Sequence, residues 1–139
     1  DTAPQEIGSA DIVLVDAPCS SVGVLRRHPS QRWAIEEQVI VEDIVPLQLQ
    51  ILAQAASLVR PGGRLVYATC SVLNCENLDV CSAFMQLPGC GIFVPEPFAG
   101  SEAVAAVPMV PGVPAHCRLL LPSLHGTDGF FMCRWRRSA

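Results

Sequence analysis

Apolar residues gather in short runs along this chain, and the runs alternate with stretches of helical spacing. Residues 11–16, Asp-Ile-Val-Leu-Val-Asp, form an apolar run that Ala17-Pro18 closes. Such a run suits a buried parallel strand. Cys19 to Pro29 reads as a loop containing Gly23 and the basic pair Arg26-Arg27. Pro29 suits the first turn of a short helix, which would carry Trp33. Behind Pro46, Leu47, Ile51, Leu52, Ala55, Leu58 and Val59 recur at helical spacing and make one apolar face. Arg60-Pro61-Gly62-Gly63 ends that helix, because proline cannot continue it and glycine accepts a left-handed turn. Arg64 to Thr69 is the second buried strand.

Asn74 is placed to cap a further helix over residues 75–87, with Leu78, Cys81, Phe84 and Met85 on its apolar face. Pro88-Gly89 stops it, and residues 91–94 make a third short strand. Residues 95–117, rich in Pro, Gly and Ala, read as a long loop. A last strand covers residues 129–136. No internal repeat is visible. Strands alternating with helices predict an α/β sheet with parallel strands.

Composition narrows the class. The length of 139 residues suits one domain, and 50% hydrophobic residues can fill a core. No run of eighteen apolar residues without charge is present, so no membrane partner is expected. The start, Asp1-Thr2-Ala3-Pro4, is not a signal peptide and lacks an initiator Met, so the chain is expected to be cut from something longer. Seven cysteines are odd in number and too sparse for a disulfide scaffold. Cys81, Cys90 and Cys133 lie in apolar stretches and read as small buried hydrophobes. An intracellular, reducing compartment fits. Without a Cys-x-x-Cys pair, no metal site is expected. The net charge of −4 gives no general attraction to nucleic acid. All 9 basic residues are Arg, a type suited to phosphate contacts, although coding bias is the stronger explanation.

The strand order makes a specific statement about two cysteines. Cys19 follows the first strand by a tight turn, and Cys70 follows the second directly. Both belong at the carboxyl edge of the sheet, where open α/β folds place their sites. A helix start just beyond Cys70 would favour its thiolate and make it a candidate nucleophile. Arg26 and Arg27 are candidates to grip phosphates, with a solvated loop the equal alternative. Trp33 is a candidate to stack on a base, with core packing the stronger expectation. Asp128 before Gly129 reads as a turn residue, and Arg134, Arg136 and Arg137 as a solvated strand end. His28, His116 and His125 pair with no cysteine at a recognisable spacing, which argues against a Cys-His protease.

These motifs resemble, in order, those of the Sun (Fmu or NSUN type) family of RNA cytosine methyltransferases. Asp16-Ala17-Pro18-Cys19-Ser20 is similar to that family's fourth motif, continued by residues 23–29 and Trp33. Leu47-Gln48 with Ile51-Leu52 resembles the helix that follows. Residues 61–72 with Glu76-Asn77 resemble the sixth motif and its tail, and residues 125–131 the final strand. The resemblance implies a Rossmann-like methyltransferase sheet and S-adenosylmethionine as cofactor. It implies that Cys70 adds to carbon 6 of cytosine, so that carbon 5 takes the methyl group, and that Cys19 assists product release. Asp16 would contact the cofactor or the cytosine edge, and Pro18 would lie against the cofactor. RNA, and ribosomal RNA at family level, is the implied partner, its base drawn out of any stack.

The family's glycine-rich cofactor loop, after the first strand of its sheet, has no counterpart in this sequence. Residues 1–139 are therefore expected to be the C-terminal half of a catalytic domain, with residues 96–117 a long loop and the cofactor-binding half absent. In isolation the chain is expected to be inactive and to show an apolar edge at residues 11–16. Ser21 stands where the family commonly has Gly, which stiffens the turn after Cys19. A truncated, non-catalytic paralogue that binds RNA or a protein partner is the competing reading. A DNA cytosine methyltransferase fits worse, since those enzymes have no counterpart of Thr69-Cys70-Ser71.

Overall fold

The computed structural model describes residues 7–98 and 107–139. Strand β1, Ala10–Asp16, runs parallel to β2, Val59–Thr69. The helix between them, α1, spans Glu37–Ala56 and contains one π turn, Ile40–Ile44. Helix α2, Leu78–Gln86, follows a single 3-10 turn, Asn74–Glu76. Then come β3, Phe93–Pro95, β4, Cys117–Leu120, a short helix α3, Pro122–His125, and β5, Phe130–Arg137. The sheet order is β1-β2-β5-β3, with β4 also on β5.

The parallel expectation holds for β1 and β2 alone. β5 is antiparallel to β2, β3 and β4. For β4 and β5 the reason is chain length: residues 121–129 join them, and a parallel neighbour needs a crossover of about a dozen or more. Other boundaries move as well. α1 stops at Ala56 and β2 already begins at Val59. Arg60 to Gly63 bulge out of the ladder, since Ala10 pairs with Val59 and Ile12 with Arg64. Gly62 takes a positive φ of 75° there, and a Cβ on Gly63 would meet the Asp11 carbonyl oxygen at 2.9 Å. β4 begins where the loop over 95–117 was expected to end.

One face of the sheet is covered. Leu65, Tyr67, Phe131 and Trp135 are at most 1% exposed, and Leu52 and Phe84 from the helices meet them at 0%. Phe84 packs against Trp135 at 5.2 Å and Phe93 at 5.6 Å between ring centres. Each large apolar side chain so buried contributes about 1.5–3 kcal/mol. Cys81, Cys90 and Cys133 are buried, as their apolar neighbours suggest. β1 lies at one end of the sheet, where Ile12 and Leu14 are 61% and 65% exposed. α1 is long and apolar enough by composition to cross a membrane. It carries the acidic Glu42 and Asp43, and one face of it, with Gln48, Leu52 and Ala56 buried, packs on the core.

Candidate active site

Topology brings three loops to one edge. β1 and β2 end there, and antiparallel β5 begins there, with Thr69 opposite Phe131. Backbone bonds stitch the loops: Gly23 N–H donates to the Cys70 carbonyl at 2.9 Å, and Gly129 N–H to the Gly23 carbonyl at 2.8 Å. The approach is close enough to require glycine. A Cβ on Gly23 would lie 2.3 Å from the Gly129 carbonyl oxygen.

Within this edge Cys19 Sγ and Cys70 Sγ are 3.2 Å apart, both half-buried thiols. Cys70 Sγ also lies 3.4 Å from Ser21 Oγ. Burial first, and the bond to Cys70 second, push the Cys19 thiol up to about 11. Cys19 therefore keeps its proton near neutral pH. No helix starts beside Cys70: the next turn begins at Asn74 and α2 at Leu78. The expected help from a helix N-terminus is thus missing, because Ser71 to Leu73 are spent linking the strand to Glu76. Nor does Asn74 cap a helix. Asn77 precedes α2, but its side chain bonds the Ser71 carbonyl and the Thr69 hydroxyl instead.

Beneath the two thiols lies Glu76, 0% exposed. Its Oε1 accepts from Ser20 N–H at 2.8 Å and from Gln48 Nε2 at 3.1 Å. Its Oε2 accepts from the hydroxyls of Ser20 and Ser71, each at 2.5 Å. The sequence offered Glu76 only as part of a motif tail, because hydrophobic patterning reads a charged residue as exposed.

The other expected residues are spread around this centre. Asp16 is exposed at the last position of β1 and makes no ion pair among the described residues. Pro18 is exposed, and its carbonyl accepts from Gln48 at 2.9 Å. Arg26 and Arg27 are exposed, and both pair with Asp128, at 2.9 and 2.6 Å. Asp128 is therefore more than a turn residue, and the bond from Arg26 holds its carboxyl below the usual range. Trp33 corrects the core-packing expectation: it is 84% exposed, with the Arg32 guanidinium 5.4 Å from its ring. The single 3-10 turn that carries it, Pro29–Trp33, buries none of its residues. Next to Cys19 is a cavity of about 220 Å³ lined by Ser20, Gln31, Ile35 and Ile40 among others. Gln31 Oε1 is buried without a hydrogen-bond partner among the described residues.

Away from this edge, Arg64, Arg134 and Arg136 gather on Glu96; Arg134 is thereby drawn in from the expected solvated strand end, while Arg136 stays exposed. Arg137 bonds the Val59 carbonyl. Cys117 and Cys133, opposite each other on β4 and β5, form a disulfide. His116 lies near both sulfurs, the one cluster of three metal-ligand types among the described residues. A metal would need both sulfurs as thiolates.

A sheet with this strand order, helices on one face and paired thiols at its carboxyl edge defines a Rossmann-like methyltransferase fold. The chain belongs to the 16S rRNA methyltransferase RsmB/F family, whose model matches residues 2–136. Ribosomal RNA small subunit methyltransferase B of Salmonella newport is 50% identical over 76 residues, 55% of this chain and 18% of that protein. The solved structure of PH0851 aligns over 98% of this chain and 29% of its own, with 34% identity and a TM-score of 0.81. NSun6 from Pyrococcus horikoshii, solved with SFG, aligns over 94% of this chain and 31% of its own, with 24% identity and a TM-score of 0.74. The chain thus spans under a fifth of that curated relative and about a third of these solved structures.

Proposed function

We propose that this chain is the cysteine-bearing part of a catalytic domain that methylates carbon 5 of cytosine in RNA, with ribosomal RNA as substrate. The observation that carries the reading is the pair of free thiols 3.2 Å apart at the carboxyl edge. One of them, Cys19, holds its proton. Cys70, which directly follows β2, is the nucleophile. Its sulfur bonds to carbon 6 of a flipped cytosine as the thiol proton passes to ring N3 and the carbon 5–carbon 6 double bond opens, which turns the unreactive ring into an enamine and divides one hard step into two. Cys19 acts on release: it gives its proton to Cys70 Sγ as that sulfur leaves carbon 6, and takes the carbon 5 proton, whose electron pair re-forms the carbon 5–carbon 6 double bond.

S-adenosylmethionine, when bound, supplies the electrophilic methyl group. The exposed carboxylate of Asp16, at the end of β1 and without an ion pair among the described residues, fits a contact to that cofactor or to the cytosine amino group. Pro18 lies two residues further along the same exposed turn. The cofactor-binding glycine loop belongs, on this reading, to a part of the domain outside these residues, and residues 1–139 alone do not turn over. Relatives of several times this length, and NSun6 solved with an S-adenosylmethionine analogue, support it. Arg26, Arg27 and the exposed Trp33 make the RNA-facing side. The two guanidiniums outnumber the one carboxylate of Asp128, and Trp33 offers a free ring for stacking. Five of the seven cysteines are free, which suits a reducing, intracellular compartment, while the Cys117–Cys133 disulfide stands against it.

The test is a covalent adduct. The protein encoded by the full reading frame is mixed with cytosine-containing RNA and cofactor, as wild type, Cys19→Ala and Cys70→Ala. Cys19→Ala is expected to accumulate a protein–RNA adduct, and Cys70→Ala to form none. Equal behaviour of all three, with no methylation, would leave the cysteines structural and hand the chain to the non-catalytic reading.

A further inference from the structure

The two thiols sit on separate loops that follow parallel strands, and strand pairing alone does not fix loop tips. Something must hold Cys19 and Cys70 in register. Besides the Gly23–Cys70 backbone bond and the Ser21 hydroxyl near Cys70 Sγ, the group that bonds both loops most extensively among the described residues is Glu76. It receives the backbone N–H and hydroxyl of Ser20, next to Cys19, and the hydroxyl of Ser71, next to Cys70. Gln48 ties the same carboxylate to α1 and, through the Pro18 carbonyl, to the chain just before Cys19. Glu76 is itself fixed, since the Tyr67 hydroxyl donates to its carbonyl at 2.7 Å. Its four acceptor contacts are all occupied, by groups from three segments of the chain.

We propose that Glu76 is the positioning residue of this site, a buried carboxylate that clamps the Cys19 and Cys70 loops together and so sets the distance between the two thiols. It touches neither sulfur, so it acts through Ser20 and Ser71. The inference rests on the reading of Cys19 and Cys70 as the reacting pair, but its geometry can be probed without RNA or cofactor.

The carboxylate of Glu76 meets two N–H donors on one oxygen and two hydroxyls on the other. An amide fits this arrangement: its oxygen takes the N–H donors, and its NH2 donates to the hydroxyls, which turn to accept. Glu76→Gln therefore keeps the clamp without the charge. Glu76→Asp keeps the charge but draws the group back by one methylene, so it cannot reach both loops. Misplacement by about 1 Å costs a reaction on the order of a hundredfold.

The experiment uses the full-reading-frame protein and two readouts. The first is the rate at which diamide, by taking up the two thiol hydrogens, closes a Cys19–Cys70 disulfide, mapped by peptide mass spectrometry. The second is methyl transfer to RNA, resolved into kcat and KM. Glu76→Gln is expected within about threefold of wild type in both, Glu76→Asp slower by about tenfold or more in cross-linking and kcat with KM unmoved. The double variant Ser20→Ala/Ser71→Ala leaves Glu76 in place, removes its two hydroxyl contacts together with the Leu73 N–H bond to the Ser71 hydroxyl, and covers the case in which Glu76→Asp fails to fold. It too is expected to cross-link more slowly. Wild-type cross-linking in folded Glu76→Asp, or in the double variant, overturns the clamp. Cross-linking that depends on Glu76 in a protein that never methylates RNA keeps the clamp and removes the methyltransferase reading.

Discussion

Two pairs of cysteines lie on this sheet, and they are held in opposite ways. Cys117 and Cys133 occupy facing positions of the antiparallel β4–β5 ladder, with Cα atoms 4.1 Å apart, both 0% exposed and joined in a disulfide. Cys19 and Cys70 stand beyond the ends of parallel strands, half-buried, unjoined and 3.2 Å apart. The ladder places the first pair with no help from side chains. The second pair depends on a network of buried polar groups around Glu76. A ladder position fixes two sulfurs and shuts out any third partner. Loop ends can bring two sulfurs together and still leave room for a substrate, provided other bonds hold the loops. The two arrangements separate structural sulfur from reactive sulfur within one small sheet.

The largest expected effect breaks the first pair. The disulfide closes a loop of 16 residues in sequence separation, and loops of that size stabilise by about 3 kcal/mol through the entropy of the unfolded chain. Replacing Cys117 and Cys133 together by Ala is expected to lower the unfolding free energy by about that amount in urea melts. Diamide closure of Cys19–Cys70 is expected to stay at the wild-type rate. If that closure collapsed while the protein remained folded, the two pairs would not be independent.

The contrast also marks how far the sequence carries. Strand-end placement of Cys19 and Cys70 is legible, because the apolar runs at 11–16 and 64–69 are bounded by Pro18 and the polar Thr69-Cys70-Ser71. The apolar faces of α1 and α2 are legible too, since periodicity records burial along a single element. It does not record which element lies next door. Hence the antiparallel entry of β5, the strand β4 and the facing of Cys117 with Cys133 went unseen. The same blindness hid Asp128, which reaches the site only because β5 begins at that edge, and Glu76, whose burial is bought by four hydrogen bonds rather than by apolar character. Trp33 failed in the other direction: a large aromatic ring reads as core, yet the 3-10 turn Pro29–Trp33 carries it outside the packed face.

A smaller effect sharpens the second pair through pH. Burial raises the Cys19 thiol from its ordinary 9.0 to about 11. Only the thiolate is alkylated by iodoacetamide, so the Cys19 rate should still climb about tenfold per pH unit between pH 9 and 10. A plateau starting near pH 9 would show a thiol that burial does not hold. The stability consequence follows the same sign. The folded state binds this proton more tightly than the unfolded chain, so the contribution is fully present below pH 9 and is lost as the pH rises from 9 toward 11.

The smallest effect lies in the turn between the two thiols. Ser21 has φ 60° and ψ 23°, the one positive φ outside glycine among the described residues. A left-handed residue with a side chain costs about 1–2 kcal/mol, and glycine gives back about 0.5–1 kcal/mol of that through its freer unfolded state. Ser21→Gly is therefore expected to stabilise the fold by less than about 1 kcal/mol, read from the urea midpoint at constant slope. It also removes the hydroxyl 3.4 Å from Cys70 Sγ, a contact separate from the Glu76 clamp. Stabilisation with unchanged Cys19–Cys70 closure would mean that Ser21 adds strain and the carboxylate below does the holding. Slower closure in a more stable protein would instead make the strained turn part of how the thiols are kept together.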